Sequence, residues 1–297
     1  MTGRVLLTGG TGQLGRELLR LDWGAGWTLD APARSELDLA DPQALHDRVR
    51  AGGYAAVINA AAYTAVDDAE SDPIAAWQAN ALAPAALAAG CRAAGVPIVQ
   101  LSTDYVFEGS GDRAWRPGDR IAPLSVYGAS KAGGELAVRA SGARYAILRT
   151  AWVVSAHGRN FVRTMLRLAA ERDRLAVVAD QHGSPTAARD LAQATQAVCR
   201  TLMEKPEFAS GTWHVANAGF ASWHELASHV VAEAGSLGRP APRVEAIATA
   251  DFPTPARRPA NSRLDTTAIE RDFGLRLRPW REATAEVVRE LMTSEVA

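Results

Sequence analysis

The sequence contains little cysteine and no long uncharged hydrophobic run. Its two cysteines, Cys91 and Cys199, lie far apart and have no metal-ligand spacing, so we expect buried thiols in a reducing compartment, and neither a disulfide nor a zinc site. The six histidines are scattered as well, and we predict no bound metal. No apolar stretch reaches the roughly 18 residues that a membrane-spanning helix needs, so no contact with a membrane is predicted.

Neither sign of charge is in excess. The chain has 32 Lys and Arg against 33 Asp and Glu, so nothing indicates binding to nucleic acid or to a membrane surface. The first residues lead directly into an apolar strand, without the basic and apolar regions of a signal peptide, which predicts a cytoplasmic protein. At 297 residues the chain exceeds the usual size of a single core, so we expect one larger and one smaller lobe.

A strand, a glycine-rich turn and a helix-forming segment open the chain. The apolar residues 4–8 lead into Gly9, Gly12 and Gly15, and a helix is expected from there. In this spacing the first glycine allows the tight turn, the second lets a pyrophosphate approach the backbone, and the third lets helix and strand pack closely. The helix N-terminus then attracts the phosphates. The pattern predicts a dinucleotide-binding turn; the alternative is a glycine-rich turn without a ligand.

The end of the expected second strand bears on the choice of cofactor. Asp30 lies where an acidic side chain could bind the adenosine ribose. Arg34 follows closely and could instead hold a 2'-phosphate. These residues therefore leave both NADH and NADPH open.

Tyr127 and Lys131 are spaced so that, on a helix, they share one face one turn apart. A nearby ammonium favours the phenolate and makes a phenol a better proton donor. The pair therefore predicts redox chemistry on a carbonyl, with Tyr127 as the general acid. By itself the spacing also fits a packed tyrosine and a solvated lysine.

A Ser-Thr-Asp loop at 102–104 follows the apolar run 97–101. Ligands of open α/β sheets bind at the carboxyl ends of the strands, so we expect the Thr103 hydroxyl beside Tyr127, where it would orient a carbonyl oxygen. In isolation the loop would be interpreted as a Ser/Thr turn. The order of glycine turn, threonine loop and Tyr/Lys helix favours the catalytic interpretation.

Apolar strands alternate with helical segments along the chain. This predicts an α/β protein with a Rossmann-like, doubly wound parallel sheet and a smaller α/β substrate-binding lobe. Strands are predicted near residues 4–8, 28–31, 55–59, 98–101, 146–150 and 212–216. Helices are predicted near 12–21, 42–51, 74–94, 130–140, 160–170, 187–203 and 223–234. The character changes after Ala151, where proline and arginine become more frequent and irregular segments are expected, so we predict a dinucleotide-binding domain over 1–151 and a mainly substrate-binding lobe over 152–297.

Motifs along nearly the whole chain resemble the extended short-chain dehydrogenase/reductase family, and within it the reductases of 4-keto nucleotide sugars. The matching segments are 59–67, 102–107, 127–131 with Gly134 and Glu135, 149–153, 180–186 and 258–264. In the related sugar-nucleotide 4,6-dehydratases an Asp-Glu pair is expected after the loop threonine, whereas here Asp104 is followed by Tyr105. Water elimination is therefore disfavoured. The resemblance also implies that the chain returns to the first lobe near 187–218.

The resemblance implies roles for individual residues. Cofactor contacts are implied for Gly9, Thr11, Gly12, Gln13, Leu14 and Gly15 at the phosphates, for Asp38 and Leu39 at the adenine, and for Ala60, Ala61, Ala62, Tyr63 and Thr64 beneath the nicotinamide. Thr103, Tyr127 and Lys131 form the catalytic set, with Lys131 also binding the nicotinamide ribose. Sugar contacts are implied for Thr64, Val66, Asp104 and Trp152, although Trp152 could equally be a core residue. Arg258, next to Arg257, would pair with the substrate pyrophosphate, or the two arginines could be a solvated charge pair.

The implied reaction is reduction of the 4-keto carbon of a dTDP-linked 6-deoxy-hexulose by NADPH or NADH, giving dTDP-L-rhamnose. Two alternatives remain: an epimerase of the same superfamily that keeps its cofactor bound, and a non-catalytic NADP-binding regulatory subunit. The chain departs from the family pattern at Val154, where some members have an aromatic residue, and at Arg189, where some have a glutamate that bridges a dimer through magnesium. The oligomeric state is therefore left as monomer or homodimer.

Overall fold

The structure is a computed structural model that describes residues 3–294. Its strands are β1 (Gly3–Thr8), β2 (Trp27–Asp30), β3 (Ala56–Asn59), β4 (Ile98–Thr103), β5 (Tyr145–Thr150), β6 (Val153–Val154), β7 (Arg174–Val178), β8 (His182–Gly183), β9 (Thr186–Ala187), β10 (Gly211–His214), β11 (Ala221–Ser222), β12 (Arg243–Ile247) and β13 (Asn261–Ser262). Its α-helices are α1 (Gln13–Arg20), α2 (Pro42–Ala51), α3 (Asp68–Ser71), α4 (Pro73–Trp77), α5 (Ala83–Ala94), α6 (Val126–Ala140), α7 (Phe161–Glu171), α8 (Ala188–Glu204), α9 (Trp223–Ser236), α10 (Thr267–Phe273) and α11 (Trp280–Ser294).

Six parallel strands form the central sheet, in the order β10, β5, β4, β3, β1, β2. The chain passes from β1 outward to β2 and then back across to β3, so the strand order reverses between β1 and β3. In sheets of this kind the crevice at that point is where ligands bind. Because all six strands run the same way, Thr8, Asn59, Thr103 and Thr150 come to the same edge of the sheet.

Helices cover both faces of this sheet. On one face α1 and α8 pack Leu18 and Leu191 against strand residues such as Leu148. On the other face α2 and α5 bury Leu45 and Leu87. Strand β3 is buried along its whole length, as expected for a parallel strand covered on both sides. The predicted doubly wound parallel sheet is confirmed.

A second core lies among α7, α9 and α11 and the two-stranded sheet of β7 and β12. Val162, Leu226, Val230 and Val288 are fully buried there. Before this core is complete, the chain returns to the central sheet through α8 and β10, and Ile269 of α10 also packs against the first core. The two cores therefore alternate along the second half of the chain.

The structure departs from the predicted elements in several places, among them the following and the strands β6–β9 and β11–β13, which were not predicted. The helix expected over 74–94 is divided into α4, a π-helical turn at Gln78–Leu82, and α5. Helix α6 begins at Val126, four positions earlier than predicted, because Ser125 caps it and Glu70 accepts a hydrogen bond from the Val126 amide. Helices α10 and α11 lie in the tail that was expected to be irregular. Within residues 3–294 no helix is long and apolar enough to cross a membrane.

Candidate active site

Tyr127 and Lys131 lie one turn apart on the first half of α6, and both side chains are buried. Their helix is held at its start by two acceptors, the Ser125 hydroxyl and the Glu70 carboxylate. Burial raises the pKa of the Tyr127 phenol, and a hydrogen bond with Thr103 opposes this only in part. That direction is the opposite of what a neighbouring ammonium alone would cause, because the surroundings disfavour a phenolate. The phenol is thus held protonated, as a proton donor must be.

Lys131 ends a line of hydrogen bonds that crosses the central strands. Its Nζ donates to the Leu101 carbonyl oxygen at 2.7 Å, and that oxygen also accepts from Gln100 Nε2 at 2.8 Å. Asn59 Nδ2 donates to Gln100 Oε1 at 2.8 Å, and Thr8 Oγ1 donates to Asn59 Oδ1 at 2.5 Å. These buried side chains satisfy one another, so the ammonium is oriented by the sheet itself.

Thr103 and Asp104 follow directly at the end of β4. Thr103 Oγ1 donates to Asp104 Oδ1 at 2.9 Å and accepts from the Tyr105 amide at 3.2 Å. Asp104 is 3% exposed, and its Oδ2 has no partner with hydrogen-bond geometry among residues 3–294, although the nearby Ser262 side chain acts to lower the pKa of the carboxyl. Burial raises the pKa of Asp104 to about 6. An unpaired carboxylate oxygen beside Thr103 and Tyr127 is suited to accept a hydrogen bond from a substrate hydroxyl.

Asn80 is a site residue that sequence reasoning missed. It lies in the π-helical turn, and its amide group accepts from the Tyr63 amide at 2.9 Å and donates to the Tyr63 carbonyl at 3.0 Å. Its Nδ2 also donates to Ser130 Oγ of α6 at 3.0 Å. Asn80 therefore clamps the segment after β3 to the catalytic helix. A π-turn is a known signal of functional sites, but the alanine-rich sequence around it carries no pattern that predicts one.

The glycine turn after β1 has the geometry that a dinucleotide phosphate group needs. Gly9 has a φ of +77° and lies so close to the next loop that a Cβ would be 2.7 Å from the Ala61 amide nitrogen. A Cβ on Gly15 would be 2.1 Å from the Gly9 carbonyl oxygen. Helix α1 begins at Gln13, and its N-cap residue Gly12 provides no side-chain cap; Thr11 and Gly12 are exposed. Its first amide groups therefore face outward, where they can bind phosphate oxygens, and Ala60–Ala62 lie alongside.

Asp30 and Arg34, the two residues that bear on cofactor choice, differ in their surroundings. Asp30 Oδ2 accepts hydrogen bonds from Arg4 at 2.7 Å, from Arg48 at 2.8 Å and from the Tyr54 hydroxyl. Although burial alone would raise its pKa, these hydrogen bonds lower the pKa of Asp30. Arg34 is 86% exposed and has a 3.5 Å contact with Asp38.

Asp38 and Leu39 lie just beyond Arg34, at the start of the segment that leads to α2. Both residues are half-buried, and Leu39 packs against the core beneath α2 and α5. A guanidinium with only a long contact is free to turn toward a phosphate, whereas the Asp30 carboxylate is already neutralised.

Trp152 follows β5 at the same edge of the sheet and has a positive φ of 47°. Its indole stacks on Trp223 of α9, with ring centroids 3.5 Å apart. Gly183 faces the indole, and a Cβ there would approach it to 2.4 Å. A left-handed backbone at a bulky residue is unusual and is typical of functional sites. Trp152 thus packs on the second core at the edge of the sheet where Thr103 also lies.

Arg258 reaches the site from the tail of the chain. Its Nη2 donates to Asp67 Oδ2 at 2.6 Å and its Nη1 to the Tyr105 hydroxyl at 3.1 Å. Tyr105 in turn packs edge-on against Tyr127, with centroids 5.5 Å apart. Arg258 is therefore linked to Tyr127 through the Tyr105 ring, while Arg257 is exposed. Of the other residues expected at the sugar, Val66 is half-buried and Thr64 is exposed.

A doubly wound sheet, a glycine turn at the strand-order reversal and a Thr/Tyr/Lys group at the same edge define a dinucleotide-dependent oxidoreductase of the short-chain dehydrogenase/reductase class. The family model described as the RmlD substrate binding domain matches residues 3–293. A dTDP-4-dehydrorhamnose reductase of Burkholderia thailandensis is 43% identical, over 98% of this chain and 99% of that protein. The chain belongs to the dTDP-4-dehydrorhamnose reductase family, which confirms the resemblance seen in the motifs.

Solved structures of this family have the same fold. The dTDP-4-dehydrorhamnose reductase of Clostridium acetobutylicum has a TM-score of 0.90 and 36% identity, with 97% of this chain and 99% of that chain covered. The enzyme of Bacillus anthracis, solved in complex with NADP, has a TM-score of 0.89 and 32% identity, with 98% and 100% covered. The dinucleotide predicted from the glycine turn agrees with that complex.

Replacing Asp104 by asparagine should stabilise the protein at neutral pH. The raised pKa means that the folded protein favours the protonated Asp104 carboxyl. Ionisation of Asp104 therefore lowers the free energy of unfolding, by the full amount above a pH of about 6. The destabilisation decreases as the pH falls toward 3.8, the pKa of the carboxyl in the unfolded chain. We expect Asp104→Asn to unfold with a free energy larger by about 1–3 kcal/mol at neutral pH and by nearly nothing at about pH 4. Chemical denaturation at several pH values measures this.

Asp180→Asn is the matched control of opposite sign. Hydrogen bonds from Thr249 lower the pKa of Asp180, so its replacement should destabilise the protein at neutral pH. If Asp104→Asn were also less stable than the parent at neutral pH, the Asp104 carboxylate would have partners that balance its burial, and the assignment of a free oxygen to the substrate would fail.

Proposed function

We propose that the protein reduces the 4-keto group of dTDP-4-dehydrorhamnose to give dTDP-L-rhamnose, with NADPH or NADH as the reductant. The observation that carries this proposal is the convergence of Thr103, Tyr127 and Lys131 beside the glycine turn. A chain of this family that had lost its activity would not need to keep all three. The proposed product places the protein in dTDP-rhamnose biosynthesis, which supplies polysaccharide assembly.

The proposed mechanism assigns one task to each side chain. A bound nicotinamide supplies the hydride to the carbonyl carbon. Tyr127 gives its phenolic proton to the carbonyl oxygen, and the Thr103 hydroxyl orients that oxygen. Lys131, held by the Leu101 carbonyl, provides positive charge that stabilises the developing negative charge on the Tyr127 oxygen. Burial of all three groups strengthens these interactions, because water does not screen them.

Five further residues would recognise the nucleotide sugar. The free oxygen of Asp104 accepts a hydrogen bond from a sugar hydroxyl, and the Trp152 ring forms an apolar wall. Thr64 and Val66 complete this side. Arg258 is ion-paired with Asp67, so binding of the substrate pyrophosphate would require the guanidinium to divide its hydrogen bonds between the two anions.

The test of the proposed function is NADPH oxidation in the presence of dTDP-4-dehydrorhamnose generated enzymatically in place. Falling NADPH absorbance together with formation of dTDP-L-rhamnose supports the reductase. An epimerase would convert the sugar without net consumption of NADPH. A regulatory subunit would show no turnover and would form a stable complex with a partner enzyme. Either result excludes the proposal.

Tyr127→Phe should lower turnover by about a hundredfold or more, because it removes only the hydroxyl that delivers the proton. The affinity for NADPH should change little, since the ring and its packing remain. Steady-state kinetics and direct cofactor titration measure the two effects. Tyr145→Phe, at the opposite end of the sheet, is the matched control. Near-normal turnover of Tyr127→Phe would remove this residue from the mechanism.

We further propose a preference for NADPH over NADH. The Asp30 carboxylate, which would otherwise repel a 2'-phosphate, is neutralised by Arg4 and Arg48, and Arg34 is exposed nearby. Three arginines face the two carboxylates Asp30 and Asp38 at the end of β2, so positive charge is in excess among these five residues. Such a site favours the cofactor that carries the additional phosphate.

Arg34→Ala should raise the Michaelis constant for NADPH roughly tenfold or more and leave that for NADH nearly unchanged, because a charged hydrogen bond to phosphate contributes roughly 1.5–3 kcal/mol. Arg167→Ala is the control, since Arg167 has a similar exposed contact with the residue four positions later, Glu171. Equal losses for the two cofactors would show that Arg34 does not bind the phosphate.

We also propose that the protein is a cytoplasmic monomer or homodimer. Cys91 and Cys199 are free and buried, and burial raises the pKa of both thiols, which suits a reducing compartment. Arg189 stands where some relatives have a magnesium-binding glutamate. The Arg189 Nη1 lies 2.5 Å from Glu286. The Arg189 guanidinium therefore neutralises the Glu286 carboxylate, so no metal ion is needed there.

Removing divalent metal should therefore leave the mass of the protein in solution unchanged. Light scattering before and after addition of EDTA measures this, with Mg²⁺ added back as the control. A dimer that dissociates in EDTA and re-forms with Mg²⁺ would contradict the argument from Arg189.

A further inference from the structure

Glu135 is a fully buried carboxylate with an unusually complete set of donors. Its Oε1 accepts from Ser102 Oγ at 2.6 Å and from Arg149 Nε at 2.7 Å. Its Oε2 accepts from Arg149 Nη2 at 2.7 Å and from Arg139 Nη2 at 2.8 Å. Both Glu135 and Arg149 are at most 1% exposed.

These contacts join the elements that carry the catalytic groups. Glu135 lies one turn after Lys131 on α6, so the two side chains share a face. Ser102 is the residue before Thr103 on β4, and Arg149 lies on β5, where its Nη1 also donates to the Pro117 carbonyl at 3.0 Å. One carboxylate therefore links the catalytic helix to two central strands at the edge where Thr103 lies.

Stability alone does not explain a charged pair at this place. Desolvation of a buried ion pair offsets most of its attraction, and apolar residues of similar volume are often as stabilising. A bidentate carboxylate with two further donors does give a fixed geometry. The pair is better explained by what it does to its neighbours than by its contribution to the free energy of folding.

We propose that Glu135 is a positioning residue for the reduction: its carboxylate fixes α6 against the Ser102–Thr103 segment and supplies the negative charge that keeps the Lys131 ammonium protonated. The expected effect of Glu135 on the rate of reduction rests on the proposed function. The expected effect of Glu135 on the protonation of Lys131 concerns the protein alone and can be tested without substrate.

Several other charged or titratable groups surround α6 and the Glu135–Arg149 pair, and one is the buried imidazole of His214 on β10, whose pKa both of those charges affect. On α6 itself these are Tyr127, Glu135 and Arg139. The elements that pack against α6 contribute Asp104 and Tyr105 from the turn after β4, Arg149 and Tyr145 from β5, Asp68 and Glu70 from α3, and Cys91 and Arg92 from α5. Helix α4, the π-helical turn and β4 carry no charged residue.

The direction of the effect on Lys131 follows from these charges. Burial lowers the pKa of Lys131 to about 8, and the Glu135 charge opposes that shift. An amide at position 135 would remove the attraction and leave the buried Arg149 guanidinium without its partner. Both changes disfavour a positive charge on Lys131 near the Arg149 guanidinium. Lys131 would therefore lose its proton at lower pH. Loss of Arg139 would have the opposite effect, because Glu135 would be less neutralised.

The sequence allows this to be measured directly, because Lys131 and Lys205 are the only lysines in the chain. Side-chain NMR of protein made with isotope-labelled lysine should show two signals, one from buried Lys131 and one from exposed Lys205. Titration of the parent protein, Glu135→Gln and Arg139→Gln then follows Lys131, with Lys205 as the internal reference. The pH dependence of kcat/KM is recorded for the same proteins, since its basic limb reports groups of the free enzyme.

Asp190→Asn is the matched control. Asp190 is also a nearly buried carboxylate with a bidentate arginine, Arg278, and an asparagine donor, Asn217, but it lies on α8. The Asp190→Asn variant should be less stable than the parent protein, as Glu135→Gln should be, but its Lys131 titration should be unchanged. We expect Glu135→Gln to move the Lys131 titration and the basic limb down by about 1 pH unit, the scale of one nearby charge, and Arg139→Gln to move both upward by less.

Several outcomes would overturn the proposal. An unshifted Lys131 signal in Glu135→Gln, with a loss of stability like that of Asp190→Asn, would make Glu135 merely structural. A shifted signal without a shifted basic limb would show that Glu135 does not act on the reaction. If Glu135→Gln does not fold, Arg139→Gln decides, because an unchanged or lowered titration there contradicts the mechanism. Absence of turnover in the parent protein would instead defeat the proposed function, while the lysine titration would still test the contact.

Discussion

The common direction of the six central strands is the constraint on which the site depends. Because β1, β3, β4 and β5 all end at one edge, the glycine turn, the Ala60 segment, Thr103 and Trp152 meet there although they are far apart in the sequence. A parallel sheet requires helical crossovers, and the crossover after β4 is the one that carries Tyr127 and Lys131. The same topology that buries the core therefore assembles the chemistry.

The sheet is buried on both sides, which makes every polar group on its central strands expensive unless it is paired. Thr8, Asn59 and Gln100 meet this requirement by bonding to one another across neighbouring strands. Their line ends at the Leu101 carbonyl, which also receives the Lys131 ammonium. A requirement of folding, the satisfaction of buried donors and acceptors, thus also orients the Lys131 ammonium.

The parts of the site that could be predicted are those whose signal is local. The turn at Gly9, Gly12 and Gly15 and the Tyr127/Lys131 pair depend on spacings of a few residues, and the strands on runs of apolar side chains. The π-helical turn could not be predicted, because Asn80 acts through the Tyr63 backbone and Ser130 and not through a sequence pattern. Glu135 lay within a matching motif, but its partner Ser102 is 33 positions away. Asp30 was expected to face a ribose, and only the three-dimensional structure shows that Arg4, Arg48 and Tyr54 also bind it.

The glycine turn and the segment after Trp152 are linked by a hydrogen bond at Gln13. This residue follows the glycine turn, and its Oε1 accepts from Ser155 Oγ at 2.9 Å, while Ser155 in turn binds the His157 backbone. Ser155 lies three residues after Trp152, whose left-handed backbone turns the chain out of β5 toward the second core. Trp152 is fixed there by Trp223 on one side and by the space left at Gly183 on the other. Gln13 thus ties the glycine turn to the segment that follows Trp152, so we expect a displacement of the turn to be transmitted toward the Trp152 ring.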